Sequence, residues 1–396
     1  MKKITVAHLL PNYNPFPPLY PAGTELRVEQ ISVRQQRYRP VVICGAFGDQ
    51  PLTEDRDGMR IRRIRIGKIY RRLFQKITRL DPMPYTARMW DIISEENAAL
   101  LHLHNEPKLL SGLARRIERQ PMPVIVHIAN EKPVIPDNTP LVTRWVACSR
   151  FMAEWLKNSY AIPEADIRVI YTGVDTLDRK PLWEMEPAYR RKLRQDFGVE
   201  DDNAVVMLFA GRIVREKGVA ELLDTFRIVR SRSKIPIYLL VAGNVRETND
   251  PKNEKTIYGR AMVKRMEQEE GVRWIGSLPP QDVHNFLLAG DIFILPSIWN
   301  DPFPTVMLEA AAAGLPILGS AKGGIIEFLK GCPGEPLIKE PEKPETWSGH
   351  IEKLICDPNL RQQAGHWLRR RVEESFDWSR VTDECEYLYD EIMGAS

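Results

Sequence analysis

Short β-branched runs separated by amphipathic stretches recur along this chain, and they do so in two series. The first contains "ITVAHLL", "VVIC", "VIVHI" and "RVIY"; the second contains "VVMLFAG", "IYLLVAG", "DIFILPS" and "PILGS". Strands that alternate with helices pair in parallel, and a parallel sheet needs cover on both faces. The series restarts at "DDNAVVMLFAGR", after a polar segment from Thr172 to Gly198. The fold class expected is therefore α/β, with two Rossmann-like doubly wound domains joined near Thr172 to Asp175. At 396 residues the chain also exceeds one ordinary core. Residues 1–175 form the first domain in this reading and residues 176–375 the second. Residues 376–396 carry Trp378, Val381, Cys385, Tyr387, Leu388 and Ile392 at helical spacing. They are expected to form a last helix that packs back on the N-terminal domain.

Composition excludes several classes. Hydrophobic residues make up 43% and charged residues 28%, which is ordinary for a folded globular chain. The longest apolar runs fall well short of the roughly 20 residues of a membrane span. The start, "MKKITVAHLLPNYNPFPP", has the two lysines of a signal peptide, but its apolar run carries His8, stops at Pro11 and lacks a small-residue cleavage site. It reads as a first buried strand. Five cysteines without CxxC spacing suit reduced thiols in the cytoplasm and indicate neither a disulfide framework nor a zinc site.

Charge is divided unevenly. Residues 1–176 hold 26 Lys and Arg against 18 Asp and Glu, whereas the remainder holds 30 against 35. An anionic partner for the first half is implied: nucleic acid, a membrane surface or an acidic substrate. Ten of the cations lie between Arg56 and Arg79. Within that run Ile66, Ile69, Tyr70, Leu73, Phe74 and Ile77 form one helical stripe, with Lys68, Arg71, Arg72, Lys76 and Arg79 on other faces. Such a helix lies in a membrane interface or grips phosphates of a lipid-linked acceptor, although a core helix with a solvated basic face has the same pattern. No nucleic-acid recognition fold or stacking signature accompanies it, so nucleic acid is not expected.

Ligands bind open parallel sheets beyond the carboxyl ends of their strands. "VVMLFAGRIVREKGVAELL" ends a strand at Gly211, puts Arg212 in the turn and opens a helix near Lys217. Two cations beside free backbone N–H groups make a diphosphate site, unless Glu216 neutralises one of them. In "PSIWNDPFPTVMLEAAAAGLPILGSAKGG", Asp301 precedes a helix that Thr305 is placed to cap, and Glu309 lies one turn inside it. Helical side chains tilt towards the N-terminus, so both acids are expected to face one ligand. A carboxylate accepts from paired hydroxyls and helix amides accept a phosphate, which together describe a nucleotide sugar. The plainer alternative has Glu309 supporting the loop and Asp301 solvated.

The segments "FAGRIVREKGVAELLDTF", "VHNFLLAGDIFILPS", "DPFPTVMLEAAAAGLPIL" and "KGGIIEFL" resemble the family 4 retaining glycosyltransferases, which have the two-domain GT-B fold. The family's acid-x7-acid motif is met by Asp301 and Glu309, with Asp where Glu is usual. The resemblance implies that Arg212 and Lys217 bind the donor diphosphate, Glu309 the ribose and Asp301 the transferred sugar. Gly211, Phe303, Pro304, Thr305 and Val306 complete the implied donor set. No metal or other cofactor is expected, since two cations and helix amides take its role. Pro302 and Pro304 stand where the turn often offers N–H donors.

"GKIYRRLFQKITRLDPMPYTAR" further resembles a segment of the enterobacterial lipopolysaccharide core N-acetylglucosaminyltransferases. That likeness implies a UDP-sugar donor, with N-acetylglucosamine as the best choice, a lipopolysaccharide core acceptor, and a cytoplasmic enzyme peripheral on the inner membrane. Acceptor-side residues would be Gly23 and Thr24, from a loop that matches the family's Gly-rich one, and Lys68, Arg71, Arg72 and His104. The family keeps a His near the donor sugar after the strand matched by "VIVHIAN"; His127 is here, while Ala129 replaces the second His of an H-x-H-N pattern. A metal site at His102 and His104 is not expected, for no third ligand is evident. Rival readings are an epimerase of the same fold acting on the nucleotide sugar itself and an inactive membrane-surface scaffold.

Overall fold

The computed structural model describes residues 3–19, 22–67, 83–245 and 253–394. The chain divides into two compact units, one of Met1–Thr172 with Trp378–Ser396 and one of Gly173–Asp377.

The first unit is built on eight strands: β1 (Thr5–Leu9), β2 (Arg39–Gly45), β3 (Thr53–Arg56), β4 (Met59–Ile64), β5 (Ala98–His104), β6 (Val124–Ile128), β7 (Arg144–Ala147) and β8 (Ile167–Val169). They stand in the order β3-β4-β2-β1-β5-β6-β7-β8. Every pair is parallel except the β3–β4 hairpin, whose turn places Asp57 and Gly58 at φ of 49° and 80°. Asp-Gly is the turn chemistry such a hairpin demands. Helices α1 (Gly23–Arg34), α2 (Tyr85–Glu95), α3 (Lys108–Arg119) and α4 (Arg150–Tyr160) supply the crossovers. The basic run expected from Arg56 to Arg79 begins inside this hairpin, which its charge pattern did not reveal.

In the second unit β9 (Val205–Ala210), β10 (Ile237–Ala242), β11 (Val272–Gly276), β12 (Ile292–Leu295), β13 (Ile317–Ser320) and β14 (Leu337–Ile338) form an all-parallel sheet ordered β11-β10-β9-β12-β13-β14. Around it run α5 (Pro187–Asp196), α6 (Val219–Arg232), α7 (Glu254–Gln268), α8 (Val283–Leu288), α9 (Thr305–Ala312), α10 (Ile325–Leu329), α11 (Pro344–Cys356) and α12 (Pro358–Ser375). The strand order reverses between β9 and β12, which is where such sheets open a ligand crevice.

The last helix, α13 (Trp378–Met393), belongs to the first unit. Its Trp378, Val381, Cys385, Leu388 and Tyr389 share a core with Val6, Leu100, Ile125 and Val146 of the sheet and Ile31 of α1. Glu386 accepts from the amides of Gln36 and Arg37 at 2.9 and 2.8 Å, closing the end of α1. The unit boundaries fall at Thr172 and Trp378 rather than at 175 and 376. The reason is local: the Val174 amide donates to the Phe376 carbonyl at 2.8 Å, and the Phe376 ring stacks on Phe303 of the second unit.

Candidate active site

Three loops at the carboxyl ends of β9, β12 and β13 are stitched together in the second unit. The loop after β9 carries Gly211 and Arg212 into a 3-10 turn, Arg215–Lys217, and α6 opens at Val219 rather than near Lys217. Between turn and helix, Gly218 has φ +70°, and a Cβ there would lie 1.8 Å from the carbonyl oxygen of Pro296. Only glycine fits, so the loop after β12 rests directly on this backbone. The Ile298 amide donates to the Glu216 carbonyl at 3.1 Å. On the other side the Gly-Gly turn after β13 closes on the same loop: the Gly324 amide donates to the Asp301 carbonyl at 2.8 Å, and a Cβ on Gly323 would sit 2.1 Å from that oxygen. The paired glycines thus hold Asp301 in place from behind.

Charge is arranged on this frame in pairs. Lys217 donates to the carboxylate of Asp301, which is only 5% exposed, and the ammonium also lies 5.9 Å from the centre of the Trp299 ring. Asp301 is therefore buried and paired, against the solvated alternative. Glu216 pairs with Lys255 at 2.8 Å, and this contact, with a weaker pull from Arg212, holds its carboxyl below the usual range. Arg212 is exposed and makes no ion pair with a described residue, so its guanidinium is open to a ligand. Glu309, inside α9, meets Arg179 at 3.1 Å; burial raises its carboxyl and the guanidinium opposes that rise. Each acid thus has its own cation, and Arg179 is a residue that sequence reasoning missed because no motif contains it.

The remaining donor-set residues divide. Thr305 is exposed and Val306 half-buried at the start of α9. Thr305 does not cap the helix: the cap position is Pro304, and no side chain satisfies it. The Met307 amide donates to the Pro304 carbonyl at 3.1 Å, and the Thr305 and Val306 amides are left for another acceptor. Phe303 points away, its ring 7% exposed among Phe328 and Phe376, so only its backbone lines the loop.

In the first unit α1 begins at Gly23, and Thr24 Oγ1 accepts from Asn105 Nδ2 at 3.4 Å while Asn105 Oδ1 accepts from the Ala129 amide at 3.0 Å. The expected acceptor loop is thereby tied to the ends of β5 and β6. His104 and His127 are partners in the sheet register, as are His8 and His102, so four imidazoles share one face. They lie in the interior. His104 is 0% exposed, its Nε2 paired with His8 Nδ1 at 3.0 Å; His102 Nδ1 meets the Tyr389 hydroxyl at 2.7 Å. His127 is 1% exposed, with both ring nitrogens unpartnered. Burial lowers His8 to about 4 and holds His102, His104 and His127 well below the usual range, with Arg27 adding to the effect on the last three.

A third imidazole does stand beside His102 and His104, contrary to expectation: His8, His102 and His104 each offer a nitrogen within 4.8 Å of the others. β1 and β5 are sheet neighbours though far apart in sequence. The fixed charge acting on His102 and His104 is the Arg27 guanidinium, so a cation there would meet a like charge with neutral ligands alone to offset it.

Lys68, Arg71 and Arg72 lie outside the described residues. Those cations of the basic run that are described reach to Arg65, which is exposed and donates to the carbonyls of Gly48 and Gln50 at 3.4 and 3.2 Å; most of the others are spent on ion pairs within the chain. Arg60 pairs with Asp55 at 2.8 Å, Arg62 with Glu96 and Glu95 at 2.5 and 2.6 Å, and Arg63, 4% exposed, with Glu54 at 2.7 Å. These arginines lie on β4, Arg60 and Arg62 on one face of the sheet and Arg63 on the other, and the expected basic helix with its Lys68, Arg71, Arg72, Lys76 and Arg79 lies outside the described residues. Among the described residues no helix is long and apolar enough to cross a membrane.

Comparison with known proteins supplies the family. Residues 23–177 match the model described as Glycosyltransferase Family 4, and residues 190–370 match Glycosyl transferases group 1. The lipopolysaccharide 1,2-N-acetylglucosaminetransferase of Salmonella typhimurium is 30% identical over 379 residues, covering 93% of this chain and 94% of that one. Among solved structures, Anabaena Alr3699/HepE in complex with UDP and glucose superposes with a TM-score of 0.75 at 18% identity, over 98% of this chain and 100% of that one. WaaG, a glycosyltransferase involved in lipopolysaccharide biosynthesis, does so with a TM-score of 0.66 at 18% identity, over the same shares. The two parallel sheets, the loops assembled at the switch point of the second and the near full-length relationship give one conclusion: the chain belongs to the family 4 glycosyltransferases of GT-B fold.

Proposed function

We propose that this glycosyltransferase moves N-acetylglucosamine from UDP-N-acetylglucosamine to the outer core of lipopolysaccharide, with retention at the anomeric carbon and without a metal. The observation that supports this most is the identity with the Salmonella enzyme across nearly the whole of both chains. Arg212, Lys217 and the first amides of α9 are assigned to the diphosphate. Charge builds on the leaving phosphate as the glycosidic bond breaks, so these groups act most strongly in the transition state. Asp301, steadied by the Gly323–Gly324 turn, is assigned to the sugar hydroxyls, and Glu309 to the ribose. No residue is assigned as nucleophile; the acceptor hydroxyl attacks from the leaving-group face and the departing phosphate takes its proton.

On the acceptor side the reading uses Gly23 and Thr24 at the start of α1, with Lys68, Arg71 and Arg72 for core phosphates at the cytoplasmic face of the inner membrane. His127, neutral and without a polar partner, remains assigned beside the donor sugar, whereas His104 is committed to His8 and supports the strand.

The test is product mass. Purified protein is incubated with UDP-N-acetylglucosamine, UDP-glucose or UDP-galactose, each with truncated rough lipopolysaccharide and with or without EDTA. A gain of one N-acetylhexosamine, undiminished by EDTA, is expected. A gain of one hexose instead would replace the donor, and UDP release with no lipopolysaccharide product would replace the acceptor.

A further inference from the structure

The segment Thr176–Leu182 is held at three residues, through Arg369 and directly, to the far end of α9. Arg369 of α12, 8% exposed, donates to the carbonyls of Thr176, Arg179 and Ala312 at 2.7, 2.5 and 2.5 Å. The Leu182 amide donates to the Ala313 carbonyl at 2.9 Å. Just beyond, Trp183 stacks on His366 with ring centres 3.9 Å apart, and a Cβ on Gly314 would lie 2.4 Å from the Trp183 ring. The backbone of Arg179 is therefore fixed relative to the helix that carries Glu309.

From that anchor Arg179 Nη1 lies 3.1 Å from Glu309 Oε1, an ion pair without hydrogen-bond alignment, with both side chains about one-fifth exposed (21% each). A guanidinium presents a planar fork that fixes the orientation of a carboxylate, which an ammonium does not. His284 of α8 stands on the same side, lowered to about 4 first by burial and then by Arg179, so it stays neutral and leaves the guanidinium's charge to Glu309.

We propose that Arg179 is a positioning residue for the nucleotide donor: it orients the Glu309 carboxylate so that the free oxygen accepts from the ribose hydroxyls. This rests on the assignment of Glu309 to ribose made above. An Arg anchored by its own backbone costs little additional ordering when the ligand binds, so the pair acts as a preformed acceptor for a cis-diol.

Binding of UDP and of 2′,3′-dideoxy-UDP to the full chain tests it by calorimetry. Wild type should prefer UDP. Arg179→Ala should weaken UDP by about tenfold, the scale of one close charge pair, while leaving the dideoxy compound within about twofold. Arg179→Lys should recover part of the loss, and adding Arg179→Ala to Glu309→Gln should change nothing further. In turnover the same substitution should raise the donor KM and spare kcat. Should Arg179→Ala melt early, Arg179→Gln and Arg179→Lys carry the same comparison. Equal weakening of both nucleotides, unchanged UDP binding or tighter UDP binding would each overturn the proposal while the Glu309 assignment stands. A wild type that binds both nucleotides alike would remove that assignment and the proposal with it.

Discussion

Lys217 and Asp301 show how a single pair ties stability to chemistry. Removing the ammonium leaves a 5% exposed carboxylate without its cation, a defect that costs about 3 kcal/mol when a buried pair is broken from one side. Lys217→Ala should therefore lower kcat by about 10²–10³, the effect of deleting one transition-state donor, and also lower the unfolding midpoint. Adding Asp301→Asn removes the stranded charge. The double variant should regain most of the midpoint in denaturant titration and none of the kcat; recovery of activity would show that Lys217 serves only to neutralise Asp301. A second residue-scale effect concerns His8. Its folded value of about 4 lies below the ordinary 6.5, so the unfolded chain takes up a proton that the folded chain refuses. Stability is then full above pH 6.5 and falls as pH drops towards 4, by about 3 kcal/mol for this group alone. Denaturant midpoints measured from pH 7 to pH 5 should decline steadily, and His8→Phe should make the decline shallower by its share while His102, His104 and His127 sustain the rest; a level profile in the wild type would refute the buried neutral state.

At the scale of elements, the site depends on loops that touch through backbone. Gly218 and Gly323 are required by positive φ and by carbonyls that occupy the space of a Cβ. Gly218→Ala must displace either the start of α6 or the loop carrying Trp299 and Asp301. A strained φ together with the clash should cost at least about 2 kcal/mol, and activity should fall more than stability does, because the displaced loop holds the assigned sugar contacts. Activity and melting temperature of the purified variant, compared with Gly349→Ala, check this; a Cβ on Gly349 meets nothing within 4 Å. The β3–β4 hairpin belongs to this scale as well. Its Asp57-Gly58 turn is written in the sequence as "RDGMR", but the arginines on either side break the apolar alternation that marks a strand.

For the molecule as a whole, the return of α13 to the first unit means that this unit is completed by the last residues of the chain. Tyr389 and Cys385 are 0% exposed and Leu388 1%, and burying one large apolar side chain is worth about 1.5–3 kcal/mol. Truncation after Asp377 should leave the sheet face of Val6, Leu100 and Ile125 uncovered and yield insoluble protein, whereas truncation after Gly394 should be neutral. Soluble yield and circular dichroism distinguish them.

Much of this was written in the residues themselves. Periodicity set out two parallel sheets and the helical end, since burial on both faces leaves a repeating apolar signature, and the spacing of Arg212, Lys217, Asp301 and Glu309 singled out one set of strand ends. Tertiary structure alone decided which charges meet: Lys217 with Asp301, Glu216 with Lys255, and Arg179 with Glu309. It also joined His8 to His102 and His104, and turned the first part of the basic run into internal ion pairs. Such pairings depend on distances between residues remote in sequence, and a one-dimensional pattern carries local propensity and period but no distance across a sheet.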